Sequence, residues 1–159
     1  MTIRILCCGR IKEAFYREAA AEYCKRLTRY ARIEIAEVED EKTPDKISDA
    51  QRDMILRREG ERILKRIRDT DYVIALAING KTFDSVGFAE KIGSLSLSGK
   101  STVDFVIGGS LGLSEEVLRR AQEHISFSAM TFPHQLMRVI LLEQLYRGMR
   151  ILSGEPYHK

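Results

Sequence analysis

Three short apolar segments in the second half of the chain, each leading through small or polar residues into a helical pattern, narrow what this sequence can become. They are Tyr72 to Ile78, Val103 to Ile107 and His124 to Ser128. The first is closed by Asn79-Gly80-Lys81 and followed by a helix near Ser85 to Ser94. The second ends at Gly108-Gly109-Ser110-Leu111-Gly112, with Ser114 as N-cap of a helix and Glu115 and Glu116 complementing its dipole. The third leads to Pro133 in the first turn of a long helix that should run to about Leu152. Parallel strands need long connections, and a helix is the usual one, so the alternation predicts a parallel sheet with helices packed on it.

The first part of the chain follows the same plan. Ile3 to Cys8 is a β-branched and apolar run ended by Gly9, and Lys12 to Tyr30 places Phe15, Ala19, Tyr23, Leu27 and Tyr30 at helical spacing. Ile33 to Val38 reads as a half-exposed strand, and residues 39–46 as a charged loop. Ser48-Asp49-Ala50-Gln51 matches a capping box, opening a helix to about Arg66 with Met54, Ile55, Ile63 and Ile67 inward. With 159 residues and 44% of them hydrophobic, the chain can build one core, so residues 1–159 are expected to form a single α/β domain.

Charge and cysteine content exclude several classes. The sum of 26 basic and 23 acidic residues is a formal charge of only +3, so nucleic-acid binding would need shape as well as charge. No apolar run is long enough for a membrane span, and the opening strand passes into a charged helix without a cleavage signal, so a cytoplasmic address is expected. Cys7, Cys8 and Cys24 have neither disulfide-framework nor zinc spacing, and no metal is expected. In the last helix, Leu136, Met137, Val139, Ile140, Leu141, Leu142, Leu145, Tyr146 and Met149 cover more than one apolar stripe. Either that helix is central or its outer face meets a second copy, and a homodimer is favoured.

Open parallel sheets bind ligands at the carboxyl ends of their strands. The loops there are Leu76 to Gly80, Gly108 to Gly112 and Phe127 to Phe132. A glycine pair after a strand fits close approach to a flat ligand, and equally a tight turn with no ligand. No dinucleotide fingerprint, P-loop or nucleophile elbow is present, and His124, His134 and His158 lack the partners of a hydrolytic triad. His134 and Arg138 share one face at the start of the last helix, so a ligand could meet both, or they could be a helix cap and a solvated cation. Glu143 and Arg147 read as an ordinary helix pair. Tyr157 and His158 close the chain as either a frayed tail or groups that stack on a base and handle protons.

The runs Val106-Ile107-Gly108-Gly109-Ser110-Leu111-Gly112-Leu113, Ser126-Phe127-Ser128-Ala129-Met130-Thr131-Phe132-Pro133-His134-Gln135-Leu136-Met137-Arg138, Glu143-Gln144-Leu145-Tyr146-Arg147 and Pro156-Tyr157-His158-Lys159 resemble the RlmH family. These are ribosomal large-subunit pseudouridine N3-methyltransferases of the SPOUT superfamily, and the resemblance spans essentially the whole chain. It implies a deep carboxyl-terminal trefoil knot, a homodimer, and S-adenosylmethionine bound by Leu76, Gly108, Phe127, Ser128, Ala129, Met130, Thr131 and Phe132. It also implies a 23S rRNA pseudouridine in the assembled 70S ribosome as substrate. On that footing Arg138 and His134 are expected to orient or stabilise the reacting groups, and Tyr157 and His158 of one subunit to complete the pocket of the other. Arg4, Arg10, Lys12 and basic helix positions within residues 1–70 are expected phosphate contacts. A SPOUT enzyme acting on another RNA such as tRNA, a non-catalytic ribosome-binding factor and a flavodoxin-like nucleotide binder are the competing readings.

Overall fold

Period-two burial in the first strand organises the molecule. In strand β1 (Thr2–Cys8), Ile3, Ile5 and Cys7 enter the larger core, while Leu6 and Cys8 enter a smaller one on the opposite side. A computed structural model describes all of residues 1–159. After β1 come α1 (Ala14–Leu27), β2 (Arg32–Val38), α2 (Asp49–Leu64), β3 (Tyr72–Thr82), α3 (Ser85–Leu97), β4 (Thr102–Ile107), α4 (Glu115–Arg120), β5 (Glu123–Ser126) and α5 (His134–Leu152). The five strands form one parallel sheet in the order β2-β1-β4-β3-β5, as the alternation predicts. Helix α5 packs against both α1 and α3, while α2 and α4 meet across the smaller core.

The register of the central strands is tied by a buried ion cluster. Arg4 lies directly opposite Asp104 in the β1–β4 pairing. Its Nε donates to Asp104 Oδ1 at 2.9 Å and its second terminal nitrogen donates to Asp104 Oδ2 at 2.7 Å and to Asp71 Oδ2 at 2.5 Å. Asp71 also accepts from the Arg68 backbone N–H at 2.9 Å, just before β3 begins. The paired carboxylates hold the guanidinium charged, which sets Arg4 apart from the expected phosphate contacts: it is 8% exposed and fully engaged.

Several boundaries differ from the sequence reading, each for a local reason. Asn79-Gly80-Lys81 does not close the third strand, because β3 bulges there and continues to Thr82 alongside β5. The fifth strand ends at Ser126, before its serine side chain turns the loop. Phe15 is exposed because it stands at the very start of α1, and Met54 is exposed because the inner stripe of α2 runs instead through Ile55, Glu59 and Ile63. The capping box at Ser48 is present in full, and Ser114 caps α4 through the Val117 N–H. No helix is long and apolar enough to cross a membrane.

Replacing Arg4 with Met should cost about 3–5 kcal/mol, because it strands Asp104 and Asp71 without a counter-charge in the interior. Urea unfolding measures the loss. Apolar replacement of Arg4, Asp71 and Asp104 together should recover most of it.

Candidate functional site

Strands β4, β3 and β5 are neighbours, so the loops leaving their carboxyl ends converge. They enclose a cleft of about 860 Å³. Its first wall is the bulge in β3: Leu76 and Lys81 both pair with Ile125, so the residues between them loop outward and bring Ala77 and Ile78 to the cleft. The excursion requires glycine at position 80, where a Cβ would lie 2.5 Å from the Ile125 carbonyl carbon.

The second wall is the glycine loop after β4. It folds on itself, with the Gly112 N–H donating to the Gly109 carbonyl at 3.1 Å, and a Cβ at Gly108 would lie 2.4 Å from the Gly112 oxygen. A tight turn and a close backbone approach are therefore both present. The third wall runs from Ser126 to His134. Ser126 Oγ donates to the Ser128 carbonyl at 3.1 Å, the Met130 N–H donates to Ser128 Oγ at 3.0 Å, and the Phe127 ring meets Phe88 edge-on at 5.9 Å. Loop backbone and apolar side chains dominate the lining, which suits a flat, largely neutral ligand surface.

Of the residues expected at a cofactor, Leu76, Gly108, Phe127, Ser128, Met130, Thr131 and Phe132 line this cleft, while Ala129 belongs to the same loop without lining it. His134 also lines it. Burial holds its imidazole below the ordinary histidine range, and the Arg138 charge acts in the same direction, so the ring is neutral at pH 7. Its Nδ1 is buried and has no partner. His134 does not cap the helix by its side chain, since Pro133 is the N-cap residue.

Arg138 is neither solvated nor in the cleft. It is 2% exposed, donating to Glu37 Oε2 at 2.8 Å and to the Gly9 carbonyl at 3.1 Å, which fastens α5 to the ends of β1 and β2. Its charge adds to the burial that lowers the His134 imidazole. The tail is not frayed. The Tyr157 hydroxyl donates to Glu143 Oε1 at 3.1 Å, its ring packs edge-on against Tyr146 at 4.8 Å, and His158 Nδ1 lies 3.4 Å from an Arg147 nitrogen. Glu143 and Arg147 do pair, at 2.6 Å, and together they hold the tail. Burial and Glu143 push the Tyr157 phenol up to about 12, so it stays protonated at neutral pH. No tail residue lines the cleft, and along α5 Glu143 is nine residues beyond His134, about 13.5 Å at 1.5 Å per residue.

Two residues at this site escape an apolar-stripe reading of α2. Arg52 lines the cleft and Glu59 lies beneath the glycine loop, both on the stripe continued by Ile55 and Ile63. The i, i+3, i+7 spacing from Arg52 was the available signal. Glu59 is 3% exposed: one carboxylate oxygen accepts the Glu41 N–H at 2.9 Å and the other has no partner. A Cβ at Gly109 would come within 3.1 Å of it. No cluster of side chains suits a metal ion.

Burial raises the Glu59 carboxyl above its ordinary value, so the folded state holds its proton longer than the unfolded chain. Wild-type stability should therefore fall as pH rises from the ordinary glutamate value through the raised one. Glu59→Gln keeps an acceptor for Glu41 and removes the ionisation. The melting-temperature advantage of the variant should grow across that window and then level off.

Comparison with known proteins places these features among methyltransferases. The family model described as predicted SPOUT methyltransferase matches residues 1–158. Ribosomal RNA large subunit methyltransferase H of Clostridium kluyveri is 54% identical over 159 residues, covering 100% of both chains. The protein of the same name from Enterococcus faecalis is 53% identical, again with 100% of each chain covered. A solved structure from Haemophilus influenzae Rd KW20, described as a probable methylase family protein, aligns with a TM-score of 0.56 at 16% identity. That alignment covers 99% of this chain and 70% of the other, and shows likeness of fold.

Proposed function

The chain belongs to the SPOUT methyltransferase family, and from that premise we propose that it methylates N3 of a pseudouridine in 23S rRNA on the assembled 70S ribosome. The observation that carries this reading is the convergence of the three loops around one cleft, on a chain that matches rRNA large subunit methyltransferases end to end. S-adenosylmethionine supplies a methyl group on a sulfonium. The apolar walls and close backbone at Gly108 fit its adenosyl part, and Leu76, Gly108, Phe127, Ser128, Ala129, Met130, Thr131 and Phe132 would hold it.

Transfer requires the base nitrogen in line with the methyl carbon, and positioning of that kind contributes about 7–11 kcal/mol when geometry is right. The imide proton on N3 leaves as the new N–C bond forms. His134, held neutral at the cleft wall by burial and by the Arg138 charge behind it, orients the reacting groups. Tyr157 and His158 serve the partner subunit in a homodimer. What supports the dimer is the outer stripe of α5: half-buried Leu136 and Ile140 share a helix face with Glu143 and Arg147, the residues that seat the tail. A second copy covering that stripe would carry its cleft toward this tail. The same reading includes the carboxyl-terminal knot, which is supported by the path of α5 from edge strand β5 to a place between α1 and α3.

The decisive assay offers radiolabelled S-adenosylmethionine with 70S ribosomes lacking the modification, free 50S subunits and bulk tRNA. Label at a pseudouridine N3 in 70S particles is expected. Label on tRNA alone would overturn the substrate, and no label would favour a non-catalytic factor. His158→Ala, and deletion of the last three residues, should each slow transfer at least tenfold while donor binding stays within twofold. Gly108→Ala should weaken donor binding more than tenfold by forcing the glycine loop open, read by calorimetry.

A further inference from the structure

Arg52 is the one lysine, arginine or acidic residue among those lining the cleft. Its guanidinium makes no ion pair and its side chain no hydrogen bond, although Asp49 and Asp53 stand nearby on α2. By contrast Arg58 and Arg62 on the same helix both bridge to Glu41. Arg52 continues the inward stripe of Ile55 and Glu59, but it does so near the start of α2, where the stripe has passed the core and reaches the cleft. The side chain is therefore aimed at the cleft while remaining solvated. Across the same cleft stand two apolar side chains left in water, Ile78 at 55% and Met130 at 73% exposure.

We propose that Arg52, Ile78 and Met130 form a grip for one extruded nucleotide, Arg52 holding a backbone phosphate beside the target and the two apolar side chains flanking its base. The inference rests on the RNA-methylation reading and adds the residues that bind the RNA. A phosphate is the fitting anion for three reasons. A guanidinium is a strong donor to phosphate oxygens. A base inserted into the cleft brings its phosphates to the rim, where Arg52 stands. The chain carries a net charge of only +3, so affinity for RNA must come from individually placed contacts rather than from a diffuse field. The competing anion is the carboxylate of the methyl donor, which donor affinity distinguishes from a phosphate.

Binding without turnover tests this. Filter retention of ribosomes lacking the modification is measured against salt for the wild-type chain, Arg52→Ala, Arg52→Lys and Arg57→Ala, the last on the outward side of α2. Calorimetry with S-adenosylmethionine runs in parallel. Arg52→Ala should weaken ribosome binding about tenfold, the loss expected for one charge-assisted contact. It should also flatten the logarithmic salt slope by about one. Arg52→Lys should recover part of the affinity, Arg57→Ala should match wild type, and donor affinity should stay within twofold in all three. Ile78→Ser should weaken ribosome binding without changing the salt slope or the donor affinity. Donor affinity falling in Arg52→Ala while ribosome binding holds would overturn the proposal and assign Arg52 to the carboxylate. Unchanged binding of both would overturn it outright. Failure of the methylation reading would show elsewhere, as a wild-type chain that labels no ribosomal RNA, while the retention data still decide the role of Arg52.

Discussion

The register of three central strands hangs on one arginine. Arg4 stands opposite Asp104 across β1 and β4, and reaches Asp71 at the entry to β3. A parallel sheet buried on both faces has little side-chain polarity with which to choose a register, since one apolar residue packs nearly as well as the next. A slip of β4 against β1 by one residue would put Asp104 among the residues of the larger core. The cluster therefore fixes the amino-terminal ends of the strands, and the loops at their carboxyl ends are placed as a consequence.

At those ends the division of labour between backbone and side chain is clear. The cleft itself is made by backbone: a bulge at β3, a folded glycine loop after β4 and a serine-braced turn after β5. Charged side chains work around it. Arg138 locks α5 to the β1 and β2 ends and adds to the burial that lowers the His134 imidazole, whereas Glu143 and Arg147, further along the helix, fasten the tail. One helix thus carries a group for the cleft at one end and seats the carboxyl-terminal tail along its middle.

The strand–helix alternation, the glycine-terminated strands and both serine caps were legible in the sequence because each is a local signal. Long-range polar partnerships were not. Arg4 looks like any surface arginine until β4 and β3 are seen beside it, and Arg138 looks solvated until Glu37 and Gly9 are in place. Asn79-Gly80-Lys81 has the composition of a turn, yet β5 alongside turns it into a bulge. Glu59 and Arg52 were hidden by reading the inner face of α2 for apolar residues alone. At the cleft, the pattern of apolar strands followed by small and polar residues named the three loops, and their adjacency follows only from the strand order.

The cleft must be told apart from a second, polar groove of about 540 Å³ at the opposite end of the sheet, lined by Arg29, Arg32 and Lys100. The most direct measurement is an amide-resolved NMR titration of this 18.2 kDa chain with S-adenosylmethionine. Shifts concentrated in Leu76 to Gly80, Gly108 to Gly112 and Phe127 to Phe132, with little change near Arg29 and Lys100, are the predicted result. Shifts centred on the polar groove, or none at saturating donor, would contradict the account.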